Sequence, residues 1–170
     1  PVGAEVIPGV GVHFRVWADQ NRQVDVILGY GESEEAVFPL VSEGNGYFSA
    51  LIPQARAGDQ YGYHLNGEAE VYADPASRFQ PQGPFGRSQV IDPGLFPWND
   101  AEWRGVQLEG QVIYEMHIGT FTRDGTFAAA TRELRELSDL GITVIELMPV
   151  ADFAGRFGWG YDGVDFFAPT

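Results

Sequence analysis

The sequence predicts β followed by α/β: an antiparallel sandwich, then a βαβ unit. Three observations carry this. Residues 1 to about 73 hold short period-two runs separated by turn residues, the pattern of half-buried strands. Residues from Ala73 to about Pro97 are crowded with Pro and Gly. After Gly110, two nearly continuous apolar runs flank a segment of helical spacing.

Each element follows from its residues. "GVHFRVWA" alternates Val12, Phe14 and Val16 against His13, Arg15 and Trp17. "QVDVILGY", from Gln23 to Tyr30, sets Val24, Val26 and Leu28 on one face. "GYFSALIP" follows the turn signal "EGNG" at Glu43 to Gly46. "DQYGYHLNG" aligns Tyr61, Tyr63 and Leu65 and ends in Asn66-Gly67, a tight-turn pair. Short strands between turns suggest a sandwich. The Pro-rich stretch "ADPASRFQPQGPFGRSQVIDPGLFPW" resists regular structure, because each Pro fixes φ and removes a donor. It is expected to be an ordered connector anchored by Phe79, Phe85, Phe96 and Trp98, with a floppy linker as the alternative.

In the second part, "QVIYEMHIG" reads as a strand buried on both faces. Phe127, Ala130, Leu134 and Leu137 then keep helical spacing, with Thr126 as N-cap and Gly141 as the C′ glycine. "ITVIELMPV" is a second buried strand, and strand, helix and strand make a parallel pair. The expected division is a sandwich over 1–97, with its connector starting near 74, and an α/β part over 98–170. One parallel pair would expose its edges, so the natural chain is expected to continue past Thr170.

Composition narrows the function. The 170 residues are 44% hydrophobic, enough for a packed core, and 14% aromatic. A formal net charge of −14 argues against nucleic acid and anionic membranes as partners. There is no Cys, so neither disulfides nor thiolate metal sites are available. His13, His64 and His117 lie far apart and suggest no zinc; the first two are expected at the surface. "GYGESEEAV" holds several carboxylates without the calcium-loop spacing. No phosphate-binding, dinucleotide, G-x-S-x-G or H-E-x-x-H motif occurs. No signal peptide is visible at Pro1, so the expected location is cytoplasmic.

Function in parallel α/β proteins collects after the C-terminal ends of strands. That selects "HIGTFTRDG" after the first apolar strand and "MPVADFAGRFGWGYDGVDFFAP" after the second. Sugars offer flat CH faces and hydroxyls, which aromatic rings and carboxylates complement. Trp159, Tyr161 and Asp162 supply both kinds, and Gly158, Gly160 and Gly163 give the backbone freedom to aim them. The alternative is that both rings are anchors packed beneath the loop. Glu115 and Glu146 could be a glycosidase acid and base, or paired structural groups pointing inward. His117, near a strand end, is the better site-wall candidate.

"VIYEMHIGTFTRDGTFAAA", "LGITVIELMPVADF" and "GWGYDGVDFFAP" resemble the opening of the catalytic barrel in the α-amylase superfamily of glycoside hydrolases. "DPASRFQPQGPFGRSQVIDP" is similar to the segment before that barrel in its trehalose-releasing branch. "GAEVIPGVGVHFRVWA" resembles the immunoglobulin-like early-set domain that precedes it there and in branching enzymes and isoamylases. The resemblance implies an early-set sandwich followed by the first βαβ portion of a (β/α)8 barrel, incomplete in this chain. It implies a cytoplasmic enzyme without cofactor or metal, which cleaves the α-1,4 bond of maltooligosyl-trehalose to release trehalose. Tyr161 matches the tyrosine that stacks on the glucose next to the cleaved bond. Trp159 and Asp162 match neighbouring wall positions, and His117 and Phe121 match the loop after the first barrel strand. Branching enzymes usually carry Gln where Asp162 stands, which favours the trehalose-releasing branch. Ala154 departs from the Pro of the family's "ADFPG" stretch. The family's catalytic Asp, Glu and Asp come from later strands, so no catalytic residue is assigned here and this chain alone is expected to be inactive. Branching or debranching activity, or a non-catalytic α-glucan-binding module, are the competing expectations.

Overall fold

The computed structural model describes residues 1–29 and 34–170. The end of the second expected strand at Tyr30, and part of the "GYGESEEAV" stretch, lie outside the described residues. The first strands are β1 (Gly3–Ile7), β2 (Gly11–Trp17), β3 (Val24–Leu28), β4 (Ala36–Pro39), β5 (Val41–Gly44), β6 (Tyr47–Ile52), β7 (Gln60–Leu65) and β8 (Ser88–Gln89). They form two four-stranded antiparallel sheets, ordered β1-β2-β6-β5 and β4-β3-β7-β8.

The core is the facing side of each sheet. Val12, Phe14 and Val16 turn inward as their alternation requires, and Phe14 meets Tyr61 edge-to-face with ring centroids 5.0 Å apart. The β3 strand differs from expectation. Asp25 and Ile27 are buried along with Val24, Val26 and Leu28, so both faces of this strand are covered. His13 and His64, expected at the surface, are half-buried on their strands. The β5–β6 connection places Asn45 at φ 52° and Gly46 at φ 80°, and Asn66 and Gly67 after β7 sit at 53° and 76°. Both residues of each pair are left-handed, the conformation that Asn-Gly adopts most easily in tight turns. The Asn66 carboxamide oxygen also accepts from the Arg22 and Gln23 backbone N–H groups at 2.8 and 3.3 Å.

The connector is ordered, but its anchors are not the aromatics. Phe79, Phe85, Phe96 and Trp98 are exposed. Phe96 and Trp98 meet edge-to-face, centroids 4.6 Å apart. Small polar residues do the anchoring. Asp74, Ser77 and Ser88 are fully buried, and Val90 is 1% exposed. Asp74 accepts from the Tyr61 hydroxyl at 2.7 Å, the Tyr63 hydroxyl at 3.4 Å and the Ala76 N–H at 2.9 Å. Its own N–H donates to the Ser88 hydroxyl, 2.9 Å. Arg78 donates to the Ala4 carbonyl at 2.6 Å, tying the connector to β1. The connector then returns as β8 and closes the second sheet against β7.

Beyond residue 110 lie β9 (Ile113–Met116), α1 (Ile118–Phe121), α2 (Phe127–Leu140), β10 (Val144–Leu147), β11 (Ala151–Asp152) and β12 (Asp165–Pro169). β9 and β10 pair in parallel on either side of α2. The predicted caps of α2 are present. The Thr126 hydroxyl accepts from Ala129 N–H at 3.2 Å, a cap worth about 1 kcal/mol. Gly141 stops the helix at φ 101°, its N–H returning to Ser138 O while Ile142 N–H returns to Leu137 O. The expectation of strands buried on both faces fails. Ile113, Tyr114 and Glu115 of β9 and Glu146 and Leu147 of β10 are exposed. Only Met116, Ile118, Ala130 and Leu137 form a buried cluster between these strands and the helices. Phe127 and Leu134 are 40% exposed and line an open cleft of about 250 Å³. Among the described residues, no helix is long and apolar enough to cross a membrane.

Candidate functional site

Two loops leave the C-terminal ends of the parallel pair. The first begins at His117, in extended conformation, and turns at once into the short helix α1. The second runs from β10 through β11, loops over 153–164 and returns as β12. β11 and β12 pair in antiparallel register, Ala151 with Pro169 and Asp152 with Asp165.

One hydrogen bond joins the two loops. His117 Nε2 lies 2.8 Å from the Gly158 carbonyl oxygen. A carbonyl only accepts, so the imidazole donates from Nε2. Its Nδ1 is buried without a partner. A side chain at Gly119 would crowd that ring, reaching 3.0 Å from its Cε1. Gly158 is equally confined, since a Cβ there would meet the Phe153 ring at 2.9 Å and Asp162 Oδ1 at 3.0 Å. Gly160 has φ 88°, and a Cβ on it would collide with the Pro149 carbonyl. The loop is thus folded tightly over its own backbone at glycines, as its spacing suggests.

This packing turns the polar and aromatic side chains outward. Trp159 is 77% exposed and Tyr161 71%. Asp162 is exposed beside them. The anchor alternative for the two rings therefore fails, and the anchoring ring is Phe153, 9% exposed. His117 is brought to this loop. Phe121 is not: it packs on the buried cluster of Met116, Ile118, Ala130 and Leu137, its ring edge-on to Tyr114 at 6.2 Å. Glu115 and Glu146 are direct neighbours in the parallel register. The inward, paired reading of these carboxylates is not met, since both are exposed and neither has a side-chain hydrogen bond among the described residues. No group of three or more His, Asp or Glu among the described residues is arranged to hold a metal ion.

Sequence reasoning missed two carboxylates beneath the loop. Asp152 and Asp165 are 6% and 5% exposed. Asp152 Oδ1 accepts from the Phe153 N–H at 3.0 Å, while Oδ2 of both residues is buried without a partner. Burial first, then the Asp152 and Asp74 charges, push the Asp165 carboxyl above its ordinary range. The available signal was a lone acid inside each apolar stretch, "VADF" and "GVDFF".

Residues 1–77 match carbohydrate-binding module 48, the isoamylase N-terminal domain. The particular relatives are malto-oligosyltrehalose trehalohydrolases, to whose N-terminal portion this chain corresponds. It is 44% identical over 93% of its length to the enzyme of that name from Saccharolobus solfataricus, and 41% identical over 99% to that from Deinococcus radiodurans. The chain spans about a quarter of these relatives, 27% of each. A branching enzyme of Pseudoalteromonas atlantica is 30% identical over 96% of the chain. Among solved structures, a putative alpha amylase from Salmonella typhimurium superposes with TM-score 0.89 at 42% identity, covering 99% of this chain and 28% of that one. A maltotetraose-bound pullulanase from Anoxybacillus sp. LM18-11 has TM-score 0.79 at 24% identity over 99% of this chain and 29% of its own, a likeness of fold.

Proposed function

We propose that this chain is the N-terminal portion of a glycoside hydrolase that cleaves the α-1,4 bond of maltooligosyl-trehalose and releases trehalose. In this reading residues 98–170 open a (β/α)8 barrel, and residues 1–97 are the early-set sandwich with its connector. The protein works in the cytoplasm on a neutral glucan and needs no cofactor. Trp159, Tyr161 and Asp162 form part of the sugar-facing wall, held by His117. Phe121, on the first of the two loops, packs on the buried cluster rather than against these wall residues. The observation that carries the reading is the His117–Gly158 bond, which joins both strand-end loops while Trp159 and Tyr161 stay open to a ligand. An exposed ring beside a carboxylate suits a sugar, whose CH face stacks while its hydroxyls donate. The relatives favour trehalose release over branching, at 44% against 30% identity.

The chemistry expected of the whole protein is retention through a covalent glycosyl intermediate, with one carboxylate as nucleophile and another as acid and base. None of the carboxylates described here is assigned to those roles, so the wall residues bind and orient. The test is trehalose release from maltooligosyl-trehalose by the full natural protein and its Tyr161→Ala variant. Loss of one stacking ring is expected to lower kcat/KM by roughly tenfold to a hundredfold. Unchanged kcat/KM would remove Tyr161 from the wall. Glucan binding without any turnover by the full natural protein would favour the binding-module reading.

A further inference from the structure

We propose that Phe157 provides a further stacking position for the substrate, one that takes the glucan arm away from the bond to be cleaved. This lengthens the sugar wall described above and rests on that reading. Phe157 is 85% exposed, more than either Trp159 or Tyr161.

The loop itself explains why the ring stands out. Points of attachment and aromatic residues alternate along it. The Gly158 carbonyl accepts from His117 at 2.8 Å, and a Cβ on Gly158 would meet the Phe153 ring. Gly160 has φ 88° and leaves no room for a Cβ beside the Pro149 carbonyl. Phe157, Trp159 and Tyr161 flank these two glycines, and all three are exposed. Phe157 and Trp159 are the two residues bonded to Gly158, so the bond that sets Trp159 sets Phe157 as well. Packing within the loop gives no account of Phe157, since the anchoring ring is Phe153.

A lone exposed apolar ring is common on protein surfaces. This one differs in its company. The Arg156 guanidinium lies over the Phe157 ring, 5.2 Å from its centroid. Arg156 and Asp162 are both exposed on the same loop. The first can only donate hydrogen bonds, and the ionised second can only accept them. Rings for CH faces, with a donor and an acceptor for hydroxyls, suit a neutral chain of sugars. Each stacked sugar is a weak contact, so added glucose units raise affinity only where another ring meets them.

The test uses the full natural protein and maltooligosyl-trehaloses with glucan arms of increasing length. Linear maltooligosaccharides of increasing length serve as binding probes. Native kcat/KM and affinity are expected to rise with length. In Phe157→Ala the ratio of longest to shortest ligand should shrink by roughly threefold to tenfold, the effect of one stacked ring, with the loss carried by KM. Phe157→Tyr keeps a stacking ring and should restore the ratio. An unchanged ratio in Phe157→Ala would overturn the proposal. A loss equal at every length would also overturn it, because the ring would then serve the fold or the trehalose end. So would a lowered melting temperature in Phe157→Ala that Phe157→Tyr fails to repair, the mark of a ring packed inside the whole protein. Trehalose release with a native ratio in Phe157→Ala refutes this inference alone. A length effect on linear maltooligosaccharides that depends on Phe157, without trehalose release, refutes only the reading on which it rests.

Discussion

The clearest single-residue lesson is Asp74. It lies in the "DPASRF" run that carries much of the sequence resemblance, yet it is wholly buried. Its carboxylate is the shared acceptor for two buried tyrosine hydroxyls, and its backbone ends on Ser88. Burial drives the Tyr61 and Tyr63 hydroxyls well above their ordinary proton affinity, with the Asp74 charge next, so both stay donors. Removing the acceptor strands both. Asp74→Ala is expected to cost about 2–4 kcal/mol, read as a lower urea midpoint at unchanged slope. Asp74→Asn keeps an acceptor oxygen and should cost less than half as much. Equal losses from the two variants would mean that charge, not hydrogen bonding, is what Asp74 contributes.

At the scale of elements, what was legible in the sequence depended on whether the decisive neighbours were local. The α2 caps at Thr126 and Gly141 are set by a few adjacent residues, and both were readable. So were the Asn-Gly turns and the inward face of β2. The full burial of β3 was not, because what covers the face of Asp25 and Ile27 lies outside the strand itself. The connector misled for a related reason. Large aromatics are the usual anchors, but here Asp74 found hydroxyl partners in Tyr61 and Ser88, 13 and 14 residues away in sequence. In the candidate site, the glycine and aromatic spacing announced the loop. The aspartates beneath it stayed hidden, since they become neighbours only in the register of β11 with β12. Gly160→Ala tests the loop directly. With φ 88° and the Pro149 carbonyl in the way, this change should ease local opening of 153–164 by about 1–3 kcal/mol. Gly155→Ala has positive φ but open space and should have a smaller effect. Exchange over β2 and β7 should be unaltered in both. If the sandwich also loosens, the loop and sandwich are one cooperative unit.

At the scale of the whole molecule, the two halves differ in how they are covered. The sandwich closes around its own core, with Phe14, Tyr61 and Tyr63 almost wholly buried. The parallel pair and its helix leave Ile113, Leu134, Leu140 and Leu147 exposed. The shortest self-sufficient piece should therefore be the sandwich with its connector. The matched module ends at residue 77, but β8 and Val90, which complete the second sheet, come later. A piece of residues 1–77 is expected to lose sharp thermal unfolding and bind a hydrophobic dye, while 1–97 should melt cooperatively. Cooperative melting of 1–77 would show that β8 is dispensable.

The return of the connector as β8 bears on how such proteins can be shuffled and re-engineered. A gene spliced at the end of the recognised module would cut between Asp74 and its Ser88 partner, leaving half of one sheet's edge with each fragment. A swapped module would then inherit an edge written for a different host. The practical seam for building chimeras lies after Trp98, among exposed residues that no strand needs.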